Sequence, residues 1–409
     1  MTSGDRPVTW TQARAAAYAA GRAAMPEPVE LPITETDGFT LTTGLTTLTD
    51  VPAFPTSSVD GFAVRGEGPW RPVARVLAGS VPGPLAPGEA AEIATGAMVP
   101  AGTEQIIRSE DSQTDGEGRV SGRARPVPDW REPGDEATKG EELLPAGTPV
   151  TPGVIGLAAV CGYDTLLVTP PARTAIVIFG DELLTAGPPG DGRVRDSLGP
   201  QLPGWLRRLG GAPVPGFDPR GPIEDTLDAH VAAIRAALAE ADLVCTTGGT
   251  MHGPVDHLHP ALAALGARYI ANTVAVRPGF PMLLAQVPGG VAGDRPKFIA
   301  GLPGNPQSAI VALVSLVAPL LCGLAGRPAP ALGQVTLGDE IAGRGEYTHL
   351  ALVRIEPSGL THPLAHSGSA MLRGLARADG FAVIEPGTQA RAGAQIPLVP
   401  LPLFSGGRP

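Results

Sequence analysis

The sequence is poor in lysine, cysteine and aromatic residues, and each shortage narrows what the protein can be. Lys139 and Lys297 are the only lysines among 30 basic residues, so arginine carries nearly all of the positive charge. The formal net charge of −10 argues against a nucleic-acid partner, because phosphates would be repelled on average. We therefore expect no nucleic acid to bind, and any anion site must be local.

Cysteine and long apolar runs are equally scarce. Cys161, Cys245 and Cys322 lie far apart in apolar surroundings, which is typical of reduced core thiols in a cytoplasmic protein and not of a disulfide framework or zinc site. Residues 1–21 lack the apolar core of a signal peptide. The most apolar run, residues 309–324, is interrupted by a proline and is shorter than the roughly 20 residues that cross a bilayer. We expect a cytoplasmic protein with no membrane partner, in which this run is a buried helix.

Glycine and proline are abundant instead. With 55 glycines and 46 prolines in 409 residues, the chain should form roughly two to four domains with many turns and short strands. Residues 223–241 carry apolar residues at a helical spacing, and residues 243–245 follow as a short buried strand. Residues 174–179 have a second buried-strand pattern, whereas residues 70–129 and 335–409 are rich in short strands. A helix that leads into a buried strand is typical of a parallel α/β sheet.

Four loops follow or connect the predicted strands of this sheet. They are residues 180–183 (GDEL), 247–256 (TGGTMHGPVD), 277–281 (RPGFP) and 302–306 (LPGNP). Because ligands bind outside the carboxyl ends of strands in open α/β sheets, we expect these loops to converge on a site. Glycines there let backbone N–H groups approach an anion, and Asp256 could hold a metal ion or a metal-bridged phosphate. A Gly-Gly turn also occurs for purely conformational reasons.

Several polar residues near these loops have an ordinary structural interpretation beside a functional one. Asp60 precedes a glycine, as in hairpin turns, Thr95 fits a turn cap as well as a ligand hydroxyl, and Asp225 fits the first turn of a helix. The nearby histidines are more typical of solvated loop positions than of a metal site, which needs a complete ligand geometry; they are His252, His257 and His259. The residues alone leave these alternatives open.

Seven segments, taken in chain order, resemble the motifs of the molybdopterin molybdenumtransferase family, to which MoeA and the gephyrin E domain belong. They are SSVDGFAV (57–64), ATGAMVPAGTEQII (94–107), FGDELL (179–184), RVRDSLGPQL (193–202), TTGGTMHGPVD (246–256), VAVRPGFP (274–281) and GLPGNPQSA (301–309). Each segment alone is a weak signal, but seven in the family's order make a chance match improbable. The resemblance extends over residues 29–387.

The resemblance implies an α/β multidomain fold with a central three-layer parallel α/β domain that binds molybdopterin, an inserted β-domain and a C-terminal β-barrel-like domain. The implied boundaries are 1–45 plus 138–169 for a segmented N-terminal domain, 46–137 for the inserted β-domain, 170–326 for the α/β domain and 327–409 for the C-terminal domain. Family members are elongated homodimers in which the site faces residues of the partner subunit.

The resemblance also implies a reaction, the insertion of molybdate into the dithiolene of adenylylated molybdopterin, with Mg²⁺ and with release of AMP. By motif position, Asp60, Glu182 and Asp256 are the active-site acids, and Asp225 and Asp256 are the carboxylates on the Mg²⁺ side. The residues implied to bind or position the substrates lie in the loops of these motifs and further along the chain; they are Thr95, Asp196, Gly248, Gly249, Thr250, Arg277, Pro303, Asn305, Pro306, Ser367 and Ser369.

The chain departs from the family where the family has cations. Thr273, Arg277 and Phe280 stand where the motif K-L-A-I-K-P-G-K-P has lysines, and His349 replaces an arginine. Arginine keeps the charge with a different geometry, whereas phenylalanine cannot. These changes leave two alternatives to the transferase: an enzyme of the same fold with an altered pterin substrate, and a non-catalytic pterin-binding homologue or scaffold. The four motif carboxylates argue against a scaffold, which has no chemical need for them.

Overall fold

The computed structural model describes residues 7–214, 220–250, 256–289 and 295–402, which form two compact units. Unit one holds the described parts of Met1–Val29, Gly38–Thr42 and Val168–Pro409, and unit two holds Glu30–Asp37 and Thr43–Leu167. His252 and the middle of the predicted 247–256 loop lie outside the described residues. The finer division into four domains stays a prediction.

The helices in the described ranges are α1 (Trp10–Ala23), α2 (Pro152–Val160), α3 (Leu202–Arg208), α4 (Leu227–Glu240), α5 (Leu258–Ala264), α6 (Pro306–Ala312) and α7 (Ala318–Leu324). A π-helical turn, Leu313–Val317, joins α6 to α7, and short 3₁₀ turns cover Ile33–Glu35, Ser109–Asp111 and Leu375–Arg377. The strands are β1 (Val8–Thr9), β2 (Val29–Pro32), β3 (Thr40–Leu41), β4 (Leu45–Thr46), β5 (Thr56–Ser57), β6 (Gly61–Val64), β7 (Arg71–Val76), β8 (Glu89–Ile93), β9 (Gln105–Arg108), β10 (Ser112–Thr114), β11 (Val120–Gly122), β12 (Trp130–Arg131), β13 (Glu142–Leu144), β14 (Thr165–Thr169), β15 (Arg173–Phe179), β16 (Leu183–Leu184), β17 (Val194–Arg195), β18 (Ala212–Pro213), β19 (Arg220–Ile223), β20 (Leu243–Thr247), β21 (Arg268–Asn272), β22 (Val274–Arg277), β23 (Leu283–Val287), β24 (Lys297–Leu302), β25 (Gly333–Leu337), β26 (Thr348–Ile355), β27 (Leu360–Pro363), β28 (Gly380–Ile384) and β29 (Gln395–Pro400).

The core of unit one is a sheet with the strand order β18, β15, β20, β24, β23, β21, in which β19 also pairs with β15. Strands β18, β15, β20 and β24 run parallel, as predicted. At the other edge, β23 and β21 run antiparallel to their neighbours. The carboxyl ends of β15, β20 and β24 therefore meet at one edge of the sheet, where the predicted loops begin.

Side chains of the central strands alternate between two buried clusters, because successive residues of a strand point to opposite faces. Ile176 and Ile178 share a cluster with α1, α3, α6 and α7, whereas Val177 and Phe179 share one with α4 and α5. Helices thus cover both faces of the sheet. The predicted three-layer α/β domain is confirmed.

One apolar helix runs continuously over Pro306–Leu324, through α6, the π-turn and α7. By length and composition it could cross a membrane, but it is 94% buried inside the protein. Helix α1 packs along it, and the buried indole N–H of Trp10 donates a hydrogen bond to Ser315 Oγ at 2.9 Å. The predicted buried helix is confirmed, and it is longer than the apolar run that predicted it.

The C-terminal part of unit one is a closed five-strand barrel. Its strands follow the order β26, β27, β25, β29, β28, and β28 pairs back with β26. Closure leaves no free sheet edge, which explains how such short strands form a stable layer. Strand β22 pairs in parallel with β26 and sets Arg277 opposite His349. The predicted C-terminal barrel is confirmed, and this pairing attaches it to the α/β layer.

Unit two contains a four-strand sheet with the order β7, β8, β6, β9. Its apolar cluster includes Ala63, Ile93 and Ile106. The Arg108 guanidinium donates two hydrogen bonds to the Asp129 carboxylate, at 2.9 and 2.5 Å, and these bonds lower the pKa of Asp129. A fork of this kind fixes both side chains in one plane, and it holds β9 to the segment that precedes β12.

The three cysteines are free thiols. Cys161 and Cys245 are buried, and burial raises the pKa of the Cys245 thiol to about 12. A protonated buried thiol behaves as a small apolar side chain. The prediction of reduced core thiols is confirmed for these two residues.

The contact between α1 and α7 depends on two glycines. A methyl group added at Gly21 would lie 2.3 Å from the Leu320 carbonyl oxygen, and one at Gly323 would lie 2.4 Å from the Tyr18 carbonyl oxygen. Backbone atoms cannot move away as a flexible side chain can. We predict that Gly21→Ala lowers the free energy of unfolding by about 1–3 kcal/mol through overpacking, although alanine is the better helix former.

The control is Gly156→Ala in the exposed middle of α2, where an added methyl group meets no atom within 4 Å. We expect this change to stabilise the protein by about 0.5–1 kcal/mol. Midpoints of urea unfolding compare the two variants with the parent protein. An unchanged or higher midpoint for Gly21→Ala would contradict the close packing of α1 on α7.

Candidate active site

A cavity of about 640 Å³ lies at the carboxyl ends of β15, β20 and β24. We call it the acidic chamber, because the described residues that line it include three carboxylates and one arginine: Glu182, Asp196, Asp256 and Arg195. Gly248, Gly249 and Thr250 line it after β20, and Pro303, Asn305 and Pro306 line it after β24. Nine of the residues predicted for the site therefore meet in one cavity, as expected for loops at one edge of a parallel sheet.

Backbone contacts hold the two central loops of this chamber together. The Gly248 N–H donates to the Leu302 carbonyl oxygen at 2.9 Å, and a methyl group on Gly304 would lie 3.8 Å from Gly248 Cα. Gly248 and Gly249 have φ angles of +82° and +64°, which other residues adopt only with strain. Glycine is therefore required here for the turn itself, and the turn leaves backbone on the chamber wall.

Asp196 has a structural task in the chamber wall. Its Oδ1 accepts hydrogen bonds from the backbone N–H groups of Leu198 and Gly199, at 2.9 and 3.0 Å. This arrangement is an aspartate turn that leads into α3. The position of Asp196 in the cavity agrees with the sequence-based expectation, and its side chain also shapes the loop.

Asp225 lies apart from this lining, although the resemblance groups it with Asp256. Its carboxylate accepts from the Asp181 backbone N–H at 3.4 Å and lies 3.4 Å from His230 Nε2. Helix α4 is capped by Thr226, whose Oγ accepts from the Ala229 N–H. The structural alternative, in which Glu224 and Asp225 cap the helix as acids of its first turn, is therefore wrong, because Thr226 is the cap and the helix begins at Leu227.

His230 was not singled out by the sequence, where it looks like one more residue of an amphipathic helix. It is 1% exposed and stacks on Phe179, with ring centres 3.6 Å apart and an interplanar angle of 9°. Its ring also meets His257 edge-on at 5.6 Å. Burial lowers the pKa of His230, so the ring is neutral at pH 7. The ring lies between Asp225 and His257, the residue that follows Asp256.

A second cavity, of about 980 Å³, adjoins the first and shares Pro281, Pro303 and Asn305 with it. We call it the basic chamber, because Arg277 and Arg344 line it and no described carboxylate does. Ser367 and Ser369 complete the predicted set on its wall. The described carboxylates thus line the first chamber, together with Arg195, whereas only arginines are charged in the second.

His349, which replaces a family arginine, lines the basic chamber as a neutral donor and acceptor. Its Nδ1 lies 2.8 Å from the Ala342 carbonyl oxygen, which requires the proton on Nδ1. Burial lowers the pKa of His349, and the nearby Arg344 lowers it further. The positive charge of this chamber at pH 7 therefore comes from its arginines.

Gln307 holds residues 366–371, which we call the serine loop. Gln307 was not predicted from the sequence because it lies inside a motif that otherwise matches. It is 1% exposed, and its backbone N–H donates to the Ser369 carbonyl oxygen at 3.0 Å. Its side-chain Nε2 donates to the Ser367 carbonyl oxygen, also at 3.0 Å. The signal was present, because an amide side chain in a buried apolar helix needs polar partners.

Asp60 and Thr95 lie in unit two and line neither chamber. The Thr95 backbone N–H and hydroxyl both donate to Asp60 Oδ1, at 2.7 and 3.1 Å. These bonds lower the pKa of Asp60, so it is a carboxylate at neutral pH. The two residues form one polar unit at the start of β6.

Comparisons with known proteins show to which family the chain belongs. Three family profiles match in chain order: the MoeA N-terminal region (domain I and II) over residues 8–162, a probable molybdopterin binding domain over residues 175–322, and the MoeA C-terminal region (domain IV) over residues 334–401. The chain belongs to the MoeA family. The family prediction from the sequence motifs is confirmed.

Curated relatives in the MoeA family cover most of the chain. A molybdopterin molybdenumtransferase of Bacillus subtilis is 31% identical over 83% of this chain and 81% of its own length. Molybdopterin molybdenumtransferase 2 of Mycobacterium tuberculosis is 30% identical over 90% of this chain and 94% of its own length. The molybdopterin biosynthesis MoeA protein of Pyrococcus horikoshii has a TM-score of 0.73 at 20% identity, with 96% of this chain and 100% of that chain covered. This last likeness concerns the fold.

The hydrogen bonds that hold the serine loop to Gln307 can be tested without substrate. We predict that Gln307→Leu, which keeps the volume and removes the bond to the Ser367 carbonyl, speeds backbone hydrogen exchange of residues 366–371 by about 5- to 10-fold, the worth of one hydrogen bond. Gln334→Leu, on an exposed barrel position, is the control and should leave this segment unchanged. Equal exchange in Gln307→Leu and the parent protein would show that the amide does not hold the loop.

Proposed function

We propose that the protein is a molybdopterin molybdenumtransferase that inserts molybdate into the dithiolene of adenylylated molybdopterin and releases AMP. The observation that carries the proposal is the pair of adjoining chambers, one lined by carboxylates and one by arginines and hydroxyls. A metal-bridged pyrophosphate fits the first, and a tetrahedral oxyanion fits the second. The relatives' names and the matched families support the same reaction.

The donor set of the acidic chamber fits Mg²⁺. This ion prefers oxygen ligands and is usually held by one or two carboxylates together with substrate phosphates. Asp256 and Glu182 would hold it, and no described group of three or more acidic, histidine or cysteine side chains forms a closed metal cage. When bound, Mg²⁺ would neutralise phosphate charge. Asp225, which lies near His230 and outside the lining of the chamber, would add negative charge on the Mg²⁺ side without contacting the ion directly.

The basic chamber would take molybdate. Arg277 and the hydroxyls of Ser367 and Ser369 supply hydrogen-bond donors suited to a dianion, and Arg344 adds positive charge. The shared residues Pro303 and Asn305 would keep the oxyanion next to the pterin end of the other substrate. The backbone at Gly249 would meet the phosphate end, since the Gly248 N–H is already bonded to the Leu302 carbonyl oxygen.

The decisive measurement is AMP release from adenylylated molybdopterin by the purified protein, at saturating molybdate and Mg²⁺. We expect turnover that needs both ions. Asp256→Asn keeps the side-chain size and removes the charge, so the loss of several kcal/mol of metal-linked stabilisation should slow release by at least about 100-fold.

The absence of AMP release under these conditions would contradict the proposal. Tight binding of the pterin substrate without turnover would favour the second candidate, a divergent pterin-binding homologue or scaffold. The observation that favours a pterin-binding homologue or scaffold is the replacement of family cations at Phe280 and His349.

We also propose that the working protein is a homodimer in the cytoplasm and that Asp60 and Thr95 act on the substrate bound by the partner subunit. The support is that both residues belong to unit two, line neither chamber and form one polar unit in which Asp60 is ionised. The family resemblance predicts the same arrangement.

Mixed dimers of Asp60→Asn and Asp256→Asn subunits test this arrangement. If the two acids of one site come from different subunits, the mixed dimer keeps one intact site and should recover about half of the parent activity, whereas each variant alone stays inactive. Two tags on the two subunits allow the mixed dimer to be purified. An inactive mixed dimer, or a parent protein that is monomeric in sedimentation, would contradict the proposal.

A further inference from the structure

Phe280, which replaces a family lysine, does not simply remove a charge from the basic chamber. The guanidinium carbon of Arg277 lies 5.1 Å from the centre of its ring and 4.5 Å from the centre of the Tyr347 ring. The two rings meet edge-to-face at 88°, with centres 5.6 Å apart. The Arg277 guanidinium thus lies over two aromatic rings that are perpendicular to each other, and we call this pair of rings the aromatic clamp.

No described carboxylate forms an ion pair with Arg277. An acid partner would also orient the guanidinium, but it would occupy the N–H donors and cancel the charge. Aromatic faces attract the cation without accepting its in-plane N–H groups as a carboxylate does. The clamp therefore holds the side chain without an acid partner that would cancel its charge.

The positions of the two rings relative to Arg277 are set by the short chain connection between Arg277 and Phe280 and by the pairing of β22 with β26. Arg277 and Phe280 are three residues apart on either side of Pro278 and Gly279, and Tyr347 precedes the segment that pairs β26 with β22. Strand pairing therefore sets the distance between the two rings. The serine loop lines the same chamber, so the Arg277 guanidinium and the hydroxyls of Ser367 and Ser369 can meet one tetrahedral anion.

We propose that Phe280 and Tyr347 are positioning residues that orient Arg277 for two-point recognition of a tetrahedral oxyanion dianion, so that one oriented guanidinium replaces the several cations of the family. The inference rests on the proposed function, in which molybdate occupies the basic chamber. It deepens that proposal by assigning recognition to the flat fork of arginine, which a lysine ammonium cannot imitate.

The test is calorimetric titration of the full chain with sodium molybdate. Phe280→Leu and Tyr347→Leu keep apolar bulk and remove a ring, and each should weaken molybdate binding by about 3- to 30-fold, the range expected for a cation–π contact. Arg277→Lys should weaken it at least as much. Phe280→Tyr and Tyr347→Phe keep the rings and should bind within about twofold of the parent protein.

The matched control is Tyr269→Leu, at a half-exposed tyrosine of β21 that lines neither chamber, and it should not change molybdate binding. In the AMP-release assay, Phe280→Leu and Tyr347→Leu should raise KM for molybdate and leave KM for adenylylated molybdopterin unchanged, and Tyr269→Leu should change neither value. A general loosening of the fold would raise both values. Equal molybdate affinity in Phe280→Leu, Tyr347→Leu and the parent protein would overturn the clamp while leaving the proposed function intact.

A second readout tests the clamp without any oxyanion. In the parent protein, the two rings should shift the Arg277 side-chain Nε–H resonance upfield, and Phe280→Leu or Tyr347→Leu should partly reverse the shift. An unshifted resonance in the parent protein would refute the clamp directly. A shifted resonance together with no molybdate binding would instead refute the assignment of molybdate to this chamber, so the two failures are distinguishable.

Discussion

The burial of the apolar helix Pro306–Leu324 is the constraint on which both chambers depend. The loop that lines both cavities leads directly into this helix, and Gln307 in its first turn bonds the serine loop. Its far end contacts α1 at a separation that only glycine permits. Each fully buried leucine, isoleucine or valine contributes about 1.5–3 kcal/mol, so any shift of this helix is strongly opposed. An element that does no chemistry thereby holds the groups that do.

The separation of charge follows from where the chain places its strands. The carboxylates come from loops after β15 and before α3 and α5, whereas Arg277 ends β22, which pairs with the barrel. The residues shared by the two chambers, Pro281, Pro303 and Asn305, carry no charge. Arg277 and Arg344 therefore face a cavity that no described carboxylate lines, and the residues shared by the two cavities neither add to their charge nor offset it.

Hydrophobic pattern and turn chemistry were sufficient to predict the central strands and the buried helix, because each depends on residues close in sequence. The barrel was implied by the family resemblance, and the convergence of the loops followed from the general rule for parallel α/β sheets. Three features could not be found in this way. The place of Asp225 depends on the start of α4 at Thr226, which fixes the direction of its side chain. The partners of Gln307 lie about 60 residues further along the chain. The third is the contact between Phe280 and Tyr347, which requires the pairing of two distant strands.

The substitution of Phe280 shows why a departure from a family motif needs the surrounding structure before it is interpreted. From the sequence, a phenylalanine in place of a lysine is a lost charge, and the loss counts against oxyanion binding. In the fold, the Phe280 ring lies against the Arg277 guanidinium. The family's lysine would add a second, flexible positive charge, whereas phenylalanine orders the charge of Arg277. Affinity depends on preorganisation as well as on charge, because a side chain that is already oriented loses less entropy on binding. Because the chain has only two lysines, its anion sites depend on arginine, and a preorganised arginine side chain binds an anion more tightly than a mobile one.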